Sequence, residues 1–234
     1  MNALVALTAI SALGQGSQID QYTQPIKDIT FSMDVRTGNQ PELRKISKDF
    51  GEAYRFSHVD FKIKDSFLVR GDTSVDDTKI LMILNDGIRV FRAPRQNINI
   101  KKDVRDHPGQ RQTIFEFGIV TPELFDGFMD AKFIRNDRAT GDAVFDLSFN
   151  KKFGDTTRYR IWIDGEKKFT SKKEWYGQDG DLKATFAFTE PTKVGSMWVP
   201  TVASVKNSEG KLAGQLKYSR FKINSGIADS IFKY

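Results

Sequence analysis

The 234-residue chain contains no cysteine, which excludes disulfides, thiolate metal sites, thiol nucleophiles and cysteine-linked lipid anchors together. It holds only two histidines. Neither His58 nor His107 falls in a motif such as H-E-x-x-H or G-x-S-x-G. His58 stands on the polar phase of a strand-like pattern and His107 precedes Pro108 in a charged loop, so both read as surface histidines. Acidic groupings at Asp76-Asp77 and from Asn136 to Asp142 do not match an EF-hand, and Arg138 would stand beside the ion; they read as loop carboxylates. No carboxylate pair is marked out for glycoside chemistry. The residues thus name no catalytic group, metal ligand or cofactor, and the chain reads as a non-enzyme.

Long hydrophobic runs are scarce as well. Met1 to Gly14, MNALVALTAISALG, is small and apolar but short of the ~20 residues of a membrane span. With small residues at Ala12 and Gly14 it reads as a secretory signal peptide cut after Gly14, although nothing basic precedes Lys27. The alternative is an N-terminal helix. The signal reading leaves residues 15–234 as one exported, soluble domain.

Lysine and arginine number 36 against 30 acidic residues, a net charge of +6 that favours anionic neighbours. The pairs Lys101-Lys102, Lys151-Lys152, Lys167-Lys168 and Lys172-Lys173 are broken by Asp103, Asp155, Glu166 and Glu174. They read as solvated faces and not as a stripe that tracks nucleic acid. Nineteen phenylalanines need either a large core or a large apolar cavity to face.

The dominant period is two. Ile29, Phe31, Met33 and Val35 alternate with Thr30, Ser32, Asp34 and Arg36, and similar faces recur at Val59-Phe61-Ile63, Phe145-Leu147-Phe149 and Leu182-Ala184-Phe186-Phe188, with a last one at Leu212, Leu216 and Tyr218. Asn85-Asp86-Gly87, Gln178 to Asp181 and Asn207 to Gly210 supply tight turns. This predicts about ten antiparallel strands in one curved sheet. Two short helices are expected, one over Pro41 to Phe50 and one starting at Thr121-Pro122 that places Leu124, Phe125, Phe128 and Met129 on one side.

Trp162-Ile163-Asp164, Lys172 to Tyr176, Asp179 to Leu182, Met197 to Thr201, Tyr218, Ile223 to Ile227 and Asp229 to Phe232 follow one another in an order that resembles exported outer-membrane lipoprotein-sorting proteins of the LolA/LolB-like superfamily. The first half resembles them more loosely, through Ser66 to Arg70, the Asn85-Asp86-Gly87 turn, Phe91 to Asn97 and Thr121 to Phe128. Arg70 is followed by Gly71 where those proteins carry arginine-proline, and the segment before the first strand is short, about Ser17–Thr23, stopped by Pro25.

The resemblance implies an incomplete β-barrel whose concave apolar side is closed by short helices. It implies a monomeric periplasmic carrier of lipoprotein acyl chains or other lipids, with transient membrane contacts and no nucleic acid. On that reading Phe31, Phe61, Phe67, Val69, Leu81, Phe145, Phe186 and Phe188 line the cavity, and Leu124, Phe125 and Phe128 lie on the closing helix. The same rings equally suit a filled core. Trp162, Trp175 and Trp198 are expected to pack strands. An exported sensor or scaffold for a protein partner, or a hydrolase with paired carboxylates, are the competing functions.

Overall fold

A computed structural model describes residues 18–234; the expected signal segment, Met1–Gly14, lies outside them. The chain first runs through a six-stranded meander: β1 (Asp28–Gly38), β2 (His58–Lys64), β3 (Leu68–Val75), β4 (Thr78–Asn85), β5 (Ile88–Ala93) and β6 (Ile98–Asp103). After a long connection come β7 (Met129–Asn136), β8 (Ala143–Phe149), β9 (Arg158–Ile163), β10 (Thr170–Tyr176) and β11 (Leu182–Thr189). A separate hairpin, β12 (Thr192–Val194) with β13 (Met197–Val199), precedes β14 (Val202–Asn207) and β15 (Leu212–Ile223).

The last strand returns beside the first. Antiparallel pairing of β15 with β1, at Met33 opposite Tyr218 and Val35 opposite Leu216, joins both halves into one 13-stranded sheet ordered β6-β5-β4-β3-β2-β1-β15-β14-β11-β10-β9-β8-β7. The ends, β6 and β7, do not pair, so the sheet stays open. It bends strongly, because Val69 of β3 and Phe145 of β8, with seven strands between them in that order, belong to one buried cluster.

Among the described residues fifteen strands form where about ten were expected. The additions include β6, exposed along most of its length, and the three-residue β12 and β13, which have no apolar alternation to betray them. The Asp86-Gly87 turn has φ of 48° and 69°, the left-handed pair that a two-residue hairpin needs. Asp76 and Asp77 do the same work at the β3–β4 tip, with φ of 46° and 60°. Leu212, expected on an apolar face, is exposed.

The helices depart from expectation. One helix over Pro41 to Phe50 is two: α1 (Gln40–Ile46) and α2 (Lys48–Ala53). Ser47 breaks them apart by adopting an extended backbone, and its hydroxyl caps α2 by accepting from the Phe50 N–H at 3.2 Å. The helix expected from Thr121 is a single 3-10 turn, Pro122–Phe125. Thr121 does not cap it; its hydroxyl lies 2.5 Å from that of Ser66. Gly127, at φ 70°, then turns the chain into β7.

Because β6 and β7 lie at opposite edges, residues 104–128 must cross from one rim of the sheet to the other. They do so over the concave face. Val104, Ile114, Phe115, Phe117, Ile119, Val120, Leu124 and Phe128 are all buried there. The Ile114 N–H donates to Ser66 O, the Thr170 N–H to Gly118 O and the Gln24 N–H to Val120 O. The N-terminal residues Ile19 and Ile26 enter the same core. Gln24 seals this end by donating to Lys168 O and Trp198 O and accepting from the Trp198 N–H.

Candidate functional site

Side chains on alternate residues of the sheet's inner face meet different covers in different regions. Over β7, β8 and β9 the crossing segment lies directly on the strands, and Phe145, Leu147 and Ile161 have no exposed surface. Over β11, β14 and β15 the cover is α1, whose Leu43 and Ile46 cluster with Ala184, Val205 and Ala213. Glu42 of α1 accepts from Asn207 Nδ2, and Lys45 pairs with Glu209 at 3.1 Å. The only buried residue of α2 is Gly51; Phe50 instead stacks on Trp175, ring centroids 6.0 Å apart. Tyr54 follows, and its ring lies so close to β15 that a Cβ on Gly214 would come within 2.3 Å of it.

Between α2 and the crossing segment the inner face is left uncovered, forming a cavity of about 380 Å³. Its walls are Met33 (β1), Val59 and Phe61 (β2), Met82 (β4), Lys173 and Trp175 (β10), Phe186 and Phe188 (β11), Ala203 (β14), and Leu216 and Tyr218 (β15). Phe50, Ala53, Tyr54, Phe56, Glu116 and Phe117 close it from above. The exposed residues Asp49, Ala53, Arg89, Gly109 and Gln112 also line it, which places its mouth between α2 and the Gly109–Gln112 stretch. A mainly apolar cavity of this size suits one small apolar ligand.

The expected site residues divide between these regions. Phe61, Phe186 and Phe188 line the cavity. Phe31, Val69 and Phe145 are buried in the core, Phe31 beneath Phe61 and Phe117 with centroids 5.4 and 4.8 Å away. Phe67 packs edge-on against Phe128, and both rings face the Arg111 guanidinium. Leu81 stands on the opposite face of β4 from Met82, in register with Asp72 and Arg92. Leu124 and Phe128 are core residues and Phe125 packs against them, so this turn fills the closed region and does not roof the cavity. The roof is α2.

Of the tryptophans, Trp175 lines the cavity, whereas Trp162 packs under Lys172 and donates its indole N–H to Asp137 at 3.1 Å. That carboxylate also accepts from the Ala139 and Thr140 amides. His58 lies outside the cavity, between Asp34 at 2.7 Å and Asp60 at 3.3 Å. Arg70 points to the sheet's outer face, where it pairs with Asp72 and donates to Ile231 O at 2.9 Å.

One lysine breaks the apolar pattern. Lys173, read from sequence as part of a solvated pair, is only 1% exposed. Its register neighbours are Ile161 and Phe186. Its ammonium donates to Glu116 Oε2 at 2.9 Å and lies 4.6 Å from the ring centres of both Phe115 and Phe186. Around it the Tyr54, Tyr159 and Tyr218 phenols are pushed upward in pKa, chiefly by burial, with the Glu116 charge adding to the effect on Tyr159 and Tyr218. They are therefore neutral hydrogen-bond donors at physiological pH.

Among the described residues no cluster of histidine and carboxylate side chains is placed to hold a metal ion, and no helix is long and apolar enough to cross a membrane. No curated protein matches the chain. A family described only as uncharacterized protein matches residues 130–234, the stretch that begins in β7 and runs to the end of the chain. Solved structures align over nearly the whole length. A LolA superfamily protein from Nitrosomonas europaea is 14% identical, with a TM-score of 0.61, covering 92% of this chain and 94% of its own. This chain shares that protein's fold. A DUF1329 family protein from Desulfovibrio piger (13% identity, TM-score 0.60, 93% of each chain) shares it. So does a domain described as an outer membrane lipoprotein-sorting protein from Vibrio parahaemolyticus (13%, 0.59, 90% and 91%).

Proposed function

We propose that this chain is a periplasmic carrier that shelters a lipid acyl chain in the cavity beneath α2 and passes it between membranes, without catalysing a reaction. The observation that carries this reading is the cavity itself: an apolar hollow with a mouth, in a fold shared with a domain named for lipoprotein sorting. Burial of an acyl chain contributes about 0.8 kcal/mol per methylene relative to water. A bilayer solvates the same chain about equally well, so handover runs on small differences. The net charge of +6 assists encounter with anionic head groups. The weakly buried α2, which follows α1 directly after Ser47, is the element we assign to opening the mouth.

Native mass spectrometry of protein purified without detergent, followed by titration of the delipidated protein with a fluorescent fatty acid, tests the proposal. A co-purified lipid that the fatty acid replaces supports it. Absence of both lipid and binding contradicts it, and a protein partner captured independently of lipid would favour a scaffold.

A further inference from the structure

A lysine at an inward-facing position between isoleucine and phenylalanine is expensive to bury, and an apolar residue of similar size would serve packing as well or better. Its charge therefore calls for an explanation other than stability. Lys173 is partnered by one carboxylate, Glu116, whose side chain is 39% exposed. Two residues along the same strand and on the same face, the Trp175 indole N–H is buried with no acceptor among the described residues. Lys173, whose ammonium has donors to spare, Trp175, whose indole N–H is orphaned, and Tyr159 and Tyr218, whose phenols are neutral, are thus among the residues that line one cavity. All of these groups donate. An oxygen acceptor satisfies such donors, and an anionic one also pairs with the ammonium charge.

We infer that the ligand is a single-tailed amphiphile with an anionic head, a carboxylate or a phosphate, whose head binds Lys173 and Trp175 inside the cavity while its tail lies along Phe61, Met82, Phe186 and Leu216. This rests on the carrier reading and narrows it. About 380 Å³ is the scale of one small ligand and not of a bundle of chains. Glu116 stands on the crossing segment as a built-in stand-in for the head group and competes with it for Lys173.

Calorimetric titration of the delipidated protein with dodecanoate, dodecyl phosphate and dodecanol tests this. Wild type should bind at least one of the two anions about tenfold or more tighter than the alcohol, the scale of one charged hydrogen bond; which anion is preferred identifies the head. In Lys173→Met that ratio should collapse towards one, and in Trp175→Phe it should fall. Glu116→Gln, which removes the competitor, should raise it. Equal binding of anions and alcohol by wild type, or a ratio that survives in Lys173→Met, overturns the inference while leaving the carrier reading intact. Failure of all three probes to bind wild type overturns the carrier reading as well.

Discussion

Two regions of the concave face are built from the same kinds of side chain and finish in opposite states. At the β7–β9 end, Phe145 meets Tyr22 and Phe133 at 5.4 Å each and is fully buried. Around β11–β15, at the centre of the sheet, Phe186 and Leu216 face a cavity. The strands do not cause the difference; the cover does. The crossing segment carries Ile114, Phe115, Phe117, Ile119 and Val120 almost in succession and is stitched down by backbone hydrogen bonds to Ser66, Thr170 and Gln24. The α1–α2 pair brings Leu43 and Ile46 only at its α1 end. Rings of one alternating pattern can thus become core or cavity wall according to what the connecting loops lay over them.

Truncation should separate the two regions most sharply. Phe145→Ala, in the closed region, should cost about 3–5 kcal/mol in denaturant unfolding. Phe50→Ala, in the open region, enlarges a space that already exists and should cost about 1 kcal/mol while weakening acyl binding. Equal costs at both sites would erase the distinction.

Filling is the converse experiment. Ala203→Phe places a ring into the cavity wall and should abolish binding of a fluorescent fatty acid, with a stability loss of about 1–3 kcal/mol from overpacking. Undiminished binding would put the ligand elsewhere.

A smaller effect concerns the outer face, where the closing turn Asp229–Phe232 packs on β3 and β4. Its approach is held by Asp28, whose carboxylate accepts from the amides of Ser225 at 2.8 Å and Gly226 at 3.0 Å. Burial pushes that carboxyl pKa up, but these hydrogen bonds outweigh it and hold the group below its ordinary value. The stabilisation is therefore fully present above the unfolded pKa of ~3.9 and disappears as pH falls through the lower folded value. Asp28→Asn should flatten the loss of stability below about pH 4 and leave cavity binding unchanged. An unaltered pH profile would remove Asp28 from this role.

The smallest effect is expected at the exposed Lys45–Glu209 pair that links α1 to the β14–β15 hairpin. Glu209→Gln should leave the unfolding midpoint unmoved at physiological salt; a clear shift would mean that α1 is held by charge and not by Leu43 and Ile46.

Much of this frame is legible in the sequence. Strict alternation places Phe61, Phe145, Phe186 and Phe188 on the inner face, and Asp86-Gly87 announces its hairpin. Legibility stops where the local signal is silent about phase or partner. Ile80 to Leu84 is apolar throughout, so nothing local tells Leu81 from Met82, and the pleat turns the methionine inward. Residues 104–128 have no period, because they form 3-10 turns shaped by the surface beneath them. Lys173 sits between Lys172 and Glu174 and reads as solvated; only its shared phase with Trp175 marks it as inward. Whether a ring becomes wall or filling depends on a segment that can lie more than a hundred residues away in sequence, and composition carries no trace of that.

The most direct test is photolabelling of the delipidated protein with a fatty acid bearing a diazirine at its tail end, followed by peptide mass spectrometry. Adducts are expected in α2 and its following residues through Phe61, and in β10 and β11 from Lys173 to Phe188. Adducts concentrated on β7–β9, or none above the level of a denatured control, would contradict binding in the cavity.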